Sequence, residues 1–130
     1  MRTLLWADDD ADDLLLMKDI LLRNGKEYNI VEVANGKEAI DYLHASVQKN
    51  DIPCLVILDI NMPVMDGKQT LALMKNGKHF ANIPVVVFTT SNSELDKLFC
   101  KQMNVEMITK PPQYASLQNA VMHLLSFCRE

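Results

Sequence analysis

Short apolar runs recur at residues 3–7, 30–33, 54–58, 84–89 and 105–109, each bounded by Gly, Asn, Asp, Pro or Ser, and they predict five strands. Leu55-Val56-Ile57-Leu58 and Pro84-Val85-Val86-Val87-Phe88 show no polar alternation, which is how strands buried on both faces read. Between the runs the spacing turns helical. Asp12 and Asp13 precede Leu14, Leu15, Leu16, Met17, Ile20 and Leu21, so acids occupy a helix start, where the backbone dipole favours them, and Gly25 ends that helix. A second helix fits residues 37–48 with Ala39, Ile40 and Leu43 inward, and a third fits 68–75 with Thr70, Leu71 and Met74 on one side. A fourth fits 94–103 behind Ser93 as N-cap. Tyr114, Leu117, Val121, Leu124 and Cys128 mark one face of a fifth, which is expected to run to Arg129 and Glu130.

Alternating strands and helices imply βαβ units, whose right-handed crossovers put helices on both faces of a parallel sheet. The chain has 130 residues and no internal repeat, low-complexity tract or linker, so residues 1–130 are expected to form a single domain.

Composition narrows the function classes. There are 13 Lys and Arg against 17 Asp and Glu, a formal charge of -4, and no basic run that could track a phosphate backbone, so no nucleic-acid partner is expected. The apolar runs are far shorter than the ~18 residues of a membrane span, so no membrane partner is expected and a soluble, cytoplasmic protein is. Cys54, Cys100 and Cys128 are odd in number, widely spread and without a CxxC pair. They read as three reduced, mostly buried thiols rather than as a zinc site or a disulfide framework.

The candidate chemistry lies where the strands end. Ligands of open α/β sheets bind outside the carboxyl ends of the strands. Here the first strand ends on Asp8, Asp9 and Asp10, the third on Asp59 with Asn61 beyond, the fourth on Thr89 and Thr90, and the fifth on Thr109 and Lys110. Asp10, Asp12, Asp13, Asp51 and Asp66 read as caps and turn formers. Carboxylates ~4 to 5 Å apart would repel by ~3 to 4 kcal/mol per pair at an effective dielectric near 20, so they either protonate or hold a cation. Oxygen ligands suit Mg²⁺, which also takes a phosphate oxygen. A carboxylate can then attack phosphorus to form an aspartyl phosphate, with Lys110 and Thr89 neutralising charge from the opposite side.

Trp6-Ala7-Asp8-Asp9-Asp10, the run from Val56 through Asp59-Ile60-Asn61-Met62-Pro63-Val64-Met65-Asp66 to Gly67, Val85-Val86-Val87-Phe88-Thr89-Thr90 and Ile108-Thr109-Lys110-Pro111 resemble, in order and spacing, the response regulator receiver domain of two-component signalling. Within it the chain looks like the single-domain, chemotaxis-regulator-like or phytochrome-linked type. The resemblance implies a flavodoxin-like, three-layer αβα fold, with five parallel strands in order 2-1-3-4-5 and five helices. It implies Asp59 as phosphoacceptor, Asp8 and Asp9 with Asp59 and the Asn61 backbone carbonyl as Mg²⁺ ligands, Thr89 and Lys110 on phosphoryl oxygens, and a cis bond between Lys110 and Pro111. Where the family usually carries Tyr or Phe this chain has Met107, so the switch is expected to couple Thr89 to a Met107 rotamer change.

The implied function is a stand-alone phosphoacceptor, not an enzyme in the ordinary sense, although the family's self-catalysed phosphotransfer and self-dephosphorylation come with it. Asn61 and Ser91 would then tune water access. The donor is expected to be a sensor histidine kinase or histidine phosphotransfer protein, since His44, His79 and His123 lie away from the strand ends. The receiver of the signal is a downstream target protein, or a second copy in a homodimer through the fourth helix, fifth strand and fifth helix. Leu95, Leu98, Phe99 and Met103 give the fourth helix more apolar surface than one packing face needs; most of them read as core packing, with a partner or dimer surface that includes Phe99, Met103 and Met107 as the alternative. The alternatives are a phosphate carrier to a histidine phosphotransfer protein and a small Mg²⁺-dependent aspartyl-phosphate phosphatase. The phosphatase would want an acid at position 61. A flavin-binding module would want a hydroxyl- and glycine-rich loop after the first strand, where this chain has acids.

Overall fold

A computed structural model describes residues 1–128 and gives the order β1 (Thr3–Ala7), α1 (Ala11–Arg23), β2 (Asn29–Val33), α2 (Gly36–Lys49), β3 (Leu55–Leu58), α3 (Gly67–Asn76), β4 (Val85–Thr89), α4 (Glu94–Gln102), β5 (Met107–Thr109) and α5 (Tyr114–Leu125). The strands form one parallel sheet in order β2-β1-β3-β4-β5. The expected topology is therefore the observed one. The order reverses between β1 and β3, so the crevice lies where Asp8 and Asp59 emerge.

Each central strand feeds two cores. Leu5, Ala7, Val56, Leu58 and Val87 face the layer that holds α2, α3 and α4, whereas Leu4, Trp6, Leu55, Ile57, Val86 and Phe88 face α1 and α5. That two-sided burial explains the solid apolar runs. Leu14, Met17, Ile20 and Leu21 bury α1, while Leu15, Leu16 and Leu22 on its other side are exposed. Asp10, Asn35, Asp66 and Ser93 cap α1 to α4 through their side chains, each satisfying N–H groups that a helix start leaves unpaired.

Several expectations are corrected. Cys54 and Cys128 form a disulfide across 74 residues, leaving Cys100 as the free thiol, buried under α4. Cys54 precedes β3 and Cys128 follows α5, which packs on the same side of the sheet, so the fold brings their Cα atoms to 4.9 Å, within bonding range. The fifth helix ends at Leu125, and its extension to Arg129 and Glu130 falls outside the described residues. Tyr114 is exposed although its spacing fits the apolar face. Phe99, Met103 and Met107 pack partly buried against the core, so the apolar side chains that α4 presents outward are Leu95 and Leu98. The Lys110–Pro111 bond is trans, as are all peptide bonds among the described residues. The trans form is the lower in energy for an X–Pro bond, and with it Lys110 already reaches the carboxylates.

Candidate functional site

The ladder delivers the acids. Asp59 continues it past β3, its N–H donating to Ala7 O at 2.9 Å, and Asp8 does the same past β1 with Val33 O at 3.0 Å. Both side chains are buried, Asp8 to 2% exposure, while Asp9 stays open to solvent. One carboxylate oxygen from each of Asp8, Asp9 and Asp59 falls within 4.8 Å of the others.

Gly67 fixes how closely α3 approaches. Its N–H donates to Ile60 O at 2.8 Å, and a Cβ there would overlap the Asp59 carbonyl oxygen and Ile60 Cα. The loop between them is bent by a three-residue turn in which Met65 N–H donates to Pro63 O at 2.7 Å, with Val64 at φ 66°. Left-handed backbone is costly for a β-branched residue, and this turn is a rare, strained class.

Lys110 holds the site together. Its side chain is 6% exposed, and Nζ donates to Asp8 Oδ2 at 2.6 Å, Asp13 Oδ2 at 3.0 Å and Asp59 Oδ2 at 3.4 Å, over the ring of Phe88. Burial alone would pull the Lys110 ammonium down. The hydrogen bond to Asp8 and the charges of Asp59 and Asp8 outweigh it, so Lys110 is pushed up and stays charged. Asp8 is raised in turn, because its burial outweighs the help it receives from Lys110 and from the Asp10 N–H. The other Asp59 oxygen, Oδ1, accepts Ile60 N–H at 2.7 Å.

Thr89 closes β4 fully buried. Its Oγ1 accepts Ser91 N–H at 3.2 Å, and its carbonyl accepts Lys110 N–H at 2.7 Å. Asn61 is exposed in the loop after Asp59, and Met107 pairs with Val87 on the sheet face under α4. Three exposed histidines, His44, His79 and His123, lie on or beside helices and not in this cluster.

Asp13 belongs to the site although it reads as a first-turn acid of α1. Its position in the first turn of the helix that follows directly on Asp8-Asp9-Asp10 was the available signal. Ser91, Asp96 and Lys68 form a second polar chain beside Thr89, which the sequence did not disclose.

Residues 4–122 match the family model described as the response regulator receiver domain. The chain belongs to that family. As a receiver domain it is 28% identical over 132 residues to the response regulator Rcp1 of Synechocystis sp., covering 99% of this chain and 90% of the relative. The crystal structure of the phosphorylated cyanobacterial phytochrome response regulator RcpA superposes with a TM-score of 0.87 at 29% identity, over 98% of this chain and 93% of that one. The Mn²⁺-bound form of Rcp1 superposes with a TM-score of 0.85 at 28% identity, over 98% and 94%. The receiver-domain fold that the sequence resemblance implied is thus the fold of these relatives. The donor set of Asp8, Asp9 and Asp59, all hard oxygens beside an open crevice, fits a divalent cation.

Proposed function

We propose that Asp59 accepts a phosphoryl group from the histidine of a sensor kinase or histidine phosphotransfer protein, and that residues 1–130 act as one receiver unit. The observation that carries this reading is the buried Lys110 ammonium, shared among Asp8, Asp13 and Asp59 at the sheet's topological switch point. Asp59 Oδ2, facing Lys110 and free of the Ile60 N–H, is the attacking oxygen. As the Oδ2–P bond forms and the donor N–P bond breaks, charge collects on the phosphoryl oxygens, where Lys110 and Thr89 meet it. Mg²⁺ held by Asp8, Asp9, Asp59 and the Asn61 backbone carbonyl would supply further neutralisation there.

The new charge of about -1.5 to -2 shifts the loop after Thr89, and Met107 repacks with it. The readout is a protein–protein contact, with a downstream target or a second copy through α4, β5 and α5, in the cytoplasm. Its likeness to RcpA and Rcp1 favours a photoreceptor kinase of the phytochrome class as donor.

Incubation with acetyl phosphate and Mg²⁺ tests the reading by intact mass. The wild type gains one phosphoryl group, EDTA prevents the gain, and Asp59→Asn does not show it. No gain in the wild type, or an equal gain in Asp59→Asn, overturns the assignment.

A further inference from the structure

The chain beside Thr89 has a built course. Lys68 is the second residue of α3, and its Nζ lies 2.6 Å from Asp96 Oδ1 on α4, with the Asp96 side chain only 14% exposed. The same ammonium stands 5.6 Å over the ring of Phe99. The second Asp96 oxygen accepts the Ser91 hydroxyl, and Asp96 is held below the usual carboxylate range, first by the Lys68 hydrogen bond and then by Ser91. Ser91 is held on three sides. Its side chain goes to α4, its carbonyl accepts Thr109 Oγ1 on β5, and its N–H donates to Thr89 Oγ1.

These contacts matter because α4 sinks little of itself fully into the core. Cys100 is its one buried residue, whereas α1 buries four. The N-terminus of α3 is in turn seated on the Asp59 loop through Gly67 N–H and Ile60 O. A rigid support of the loop that bears Asp59 is thereby tied, through Asp96 and Ser91, to the loop whose N–H meets the Thr89 hydroxyl.

We infer that Lys68 and Asp96 are positioning residues for Thr89: their ion pair, acting through Ser91, holds the β4–α4 loop in its unphosphorylated arrangement and must part for Thr89 to turn toward Asp59. This rests on Asp59 as phosphoacceptor only for the direction of the turn. A contact made in one of two states biases the equilibrium toward that state by its own worth. Partly exposed ion pairs are weak, so cutting this one should favour the phosphoryl-bound state about 2- to 5-fold.

Two measurements separate the tie from the phosphoacceptor assignment. In the protein without phosphate or its mimic, amide relaxation dispersion at Thr89 and Ser91 should be quiet in wild type and in Lys68→Arg. Millisecond exchange should appear in both Lys68→Met and Asp96→Asn. Titration with beryllofluoride and Mg²⁺ should then show about 2- to 5-fold tighter binding for Lys68→Met, with the double variant no tighter than either single one. Unchanged amides in Lys68→Met, or equal or weaker beryllofluoride binding, overturn the inference, as does a lower melting temperature with neither readout moved. If the wild type binds no beryllofluoride the phosphoacceptor reading fails instead, and the dispersion data still decide whether the tie exists.

Discussion

Helices α1 and α4 flank the same sheet from opposite sides and are held in opposite ways. Four side chains, Leu14, Met17, Ile20 and Leu21, sink α1 into a core that also takes α5 and is stapled by Cys54–Cys128. Helix α4 sinks Cys100, leans Phe99 and Met103 on the core, and relies on the Lys68–Asp96–Ser91 chain for the rest. Apolar packing is non-directional and hard to give up by degrees, whereas an ion pair at the surface parts cheaply. The side that carries Asp13 to the site is thus held by buried apolar packing, and the side beside Thr89 by a partly exposed polar chain.

That contrast can be broken at several points. The largest effect is expected from the staple, whose opening frees a long loop in the unfolded chain and should cost about 4 kcal/mol. Urea unfolding with and without dithiothreitol checks it, and Cys128→Ser should match the reduced protein while Cys100→Ser still responds to reductant. Next, Ile20→Ala in α1 should cost about 2–5 kcal/mol by leaving a cavity, whereas Leu95→Ala, 74% exposed on α4, should stay within about 0.5 kcal/mol. Similar losses in the two helices, by the same unfolding experiment, would erase the difference between them.

A smaller gain is expected at Val64, 77% exposed in left-handed backbone. Val64→Gly should raise stability by up to about 1 kcal/mol, the relief of strain exceeding the entropy that glycine adds to the unfolded chain. The smallest signal is a pH effect at Asp96. Its carboxyl is lowered in the folded chain, so the stability it contributes is complete above the ordinary aspartate value of 3.8 and disappears as pH falls through the lower folded value. Asp96→Asn should therefore show a shallower loss of stability in that acid window, followed by circular dichroism.

Much of the architecture was legible because the sheet is buried on both sides. A strand with two apolar faces has no polar residue to hide it, and Leu55-Val56-Ile57-Leu58 breaks on Asp59, whose N–H carries the ladder one bond past the strand. The gathering of Asp8, Asp9, Asp59 and Lys110 followed from strand ends alone. What escaped depended on pairing across the chain or on competing local roles. Cys54 and Cys128 are each unremarkable in their own neighbourhoods, and only the packing of α5 on the same face of the sheet as Cys54 brings them together. Asp13 sits where any helix would welcome an acid, so its bond to Lys110 is hidden behind a sufficient local reason. Tyr114 kept the helical period yet faces solvent, since periodicity places a residue on a side of a helix but not beneath a neighbour. The left-handed Val64 contradicts its own backbone preference, and only the surrounding turn imposes it.

The bond between Cys54 and Cys128 also changes what kind of object the chain is. Residues 54–128 become a closed covalent ring, and residues 1–53 a lead threaded onto it by strand pairing. Asp59, Thr89 and Lys110 all lie on the ring, while Asp8, Asp9 and Asp13 arrive on the lead. A single backbone cut within the ring leaves both pieces joined, so Asp59, Thr89 and Lys110 cannot be separated by one break. The acids of the lead are joined to them covalently only through the bond from Pro53 to Cys54, so after one cut between Asp13 and Cys54 hydrogen bonds and packing alone would hold them.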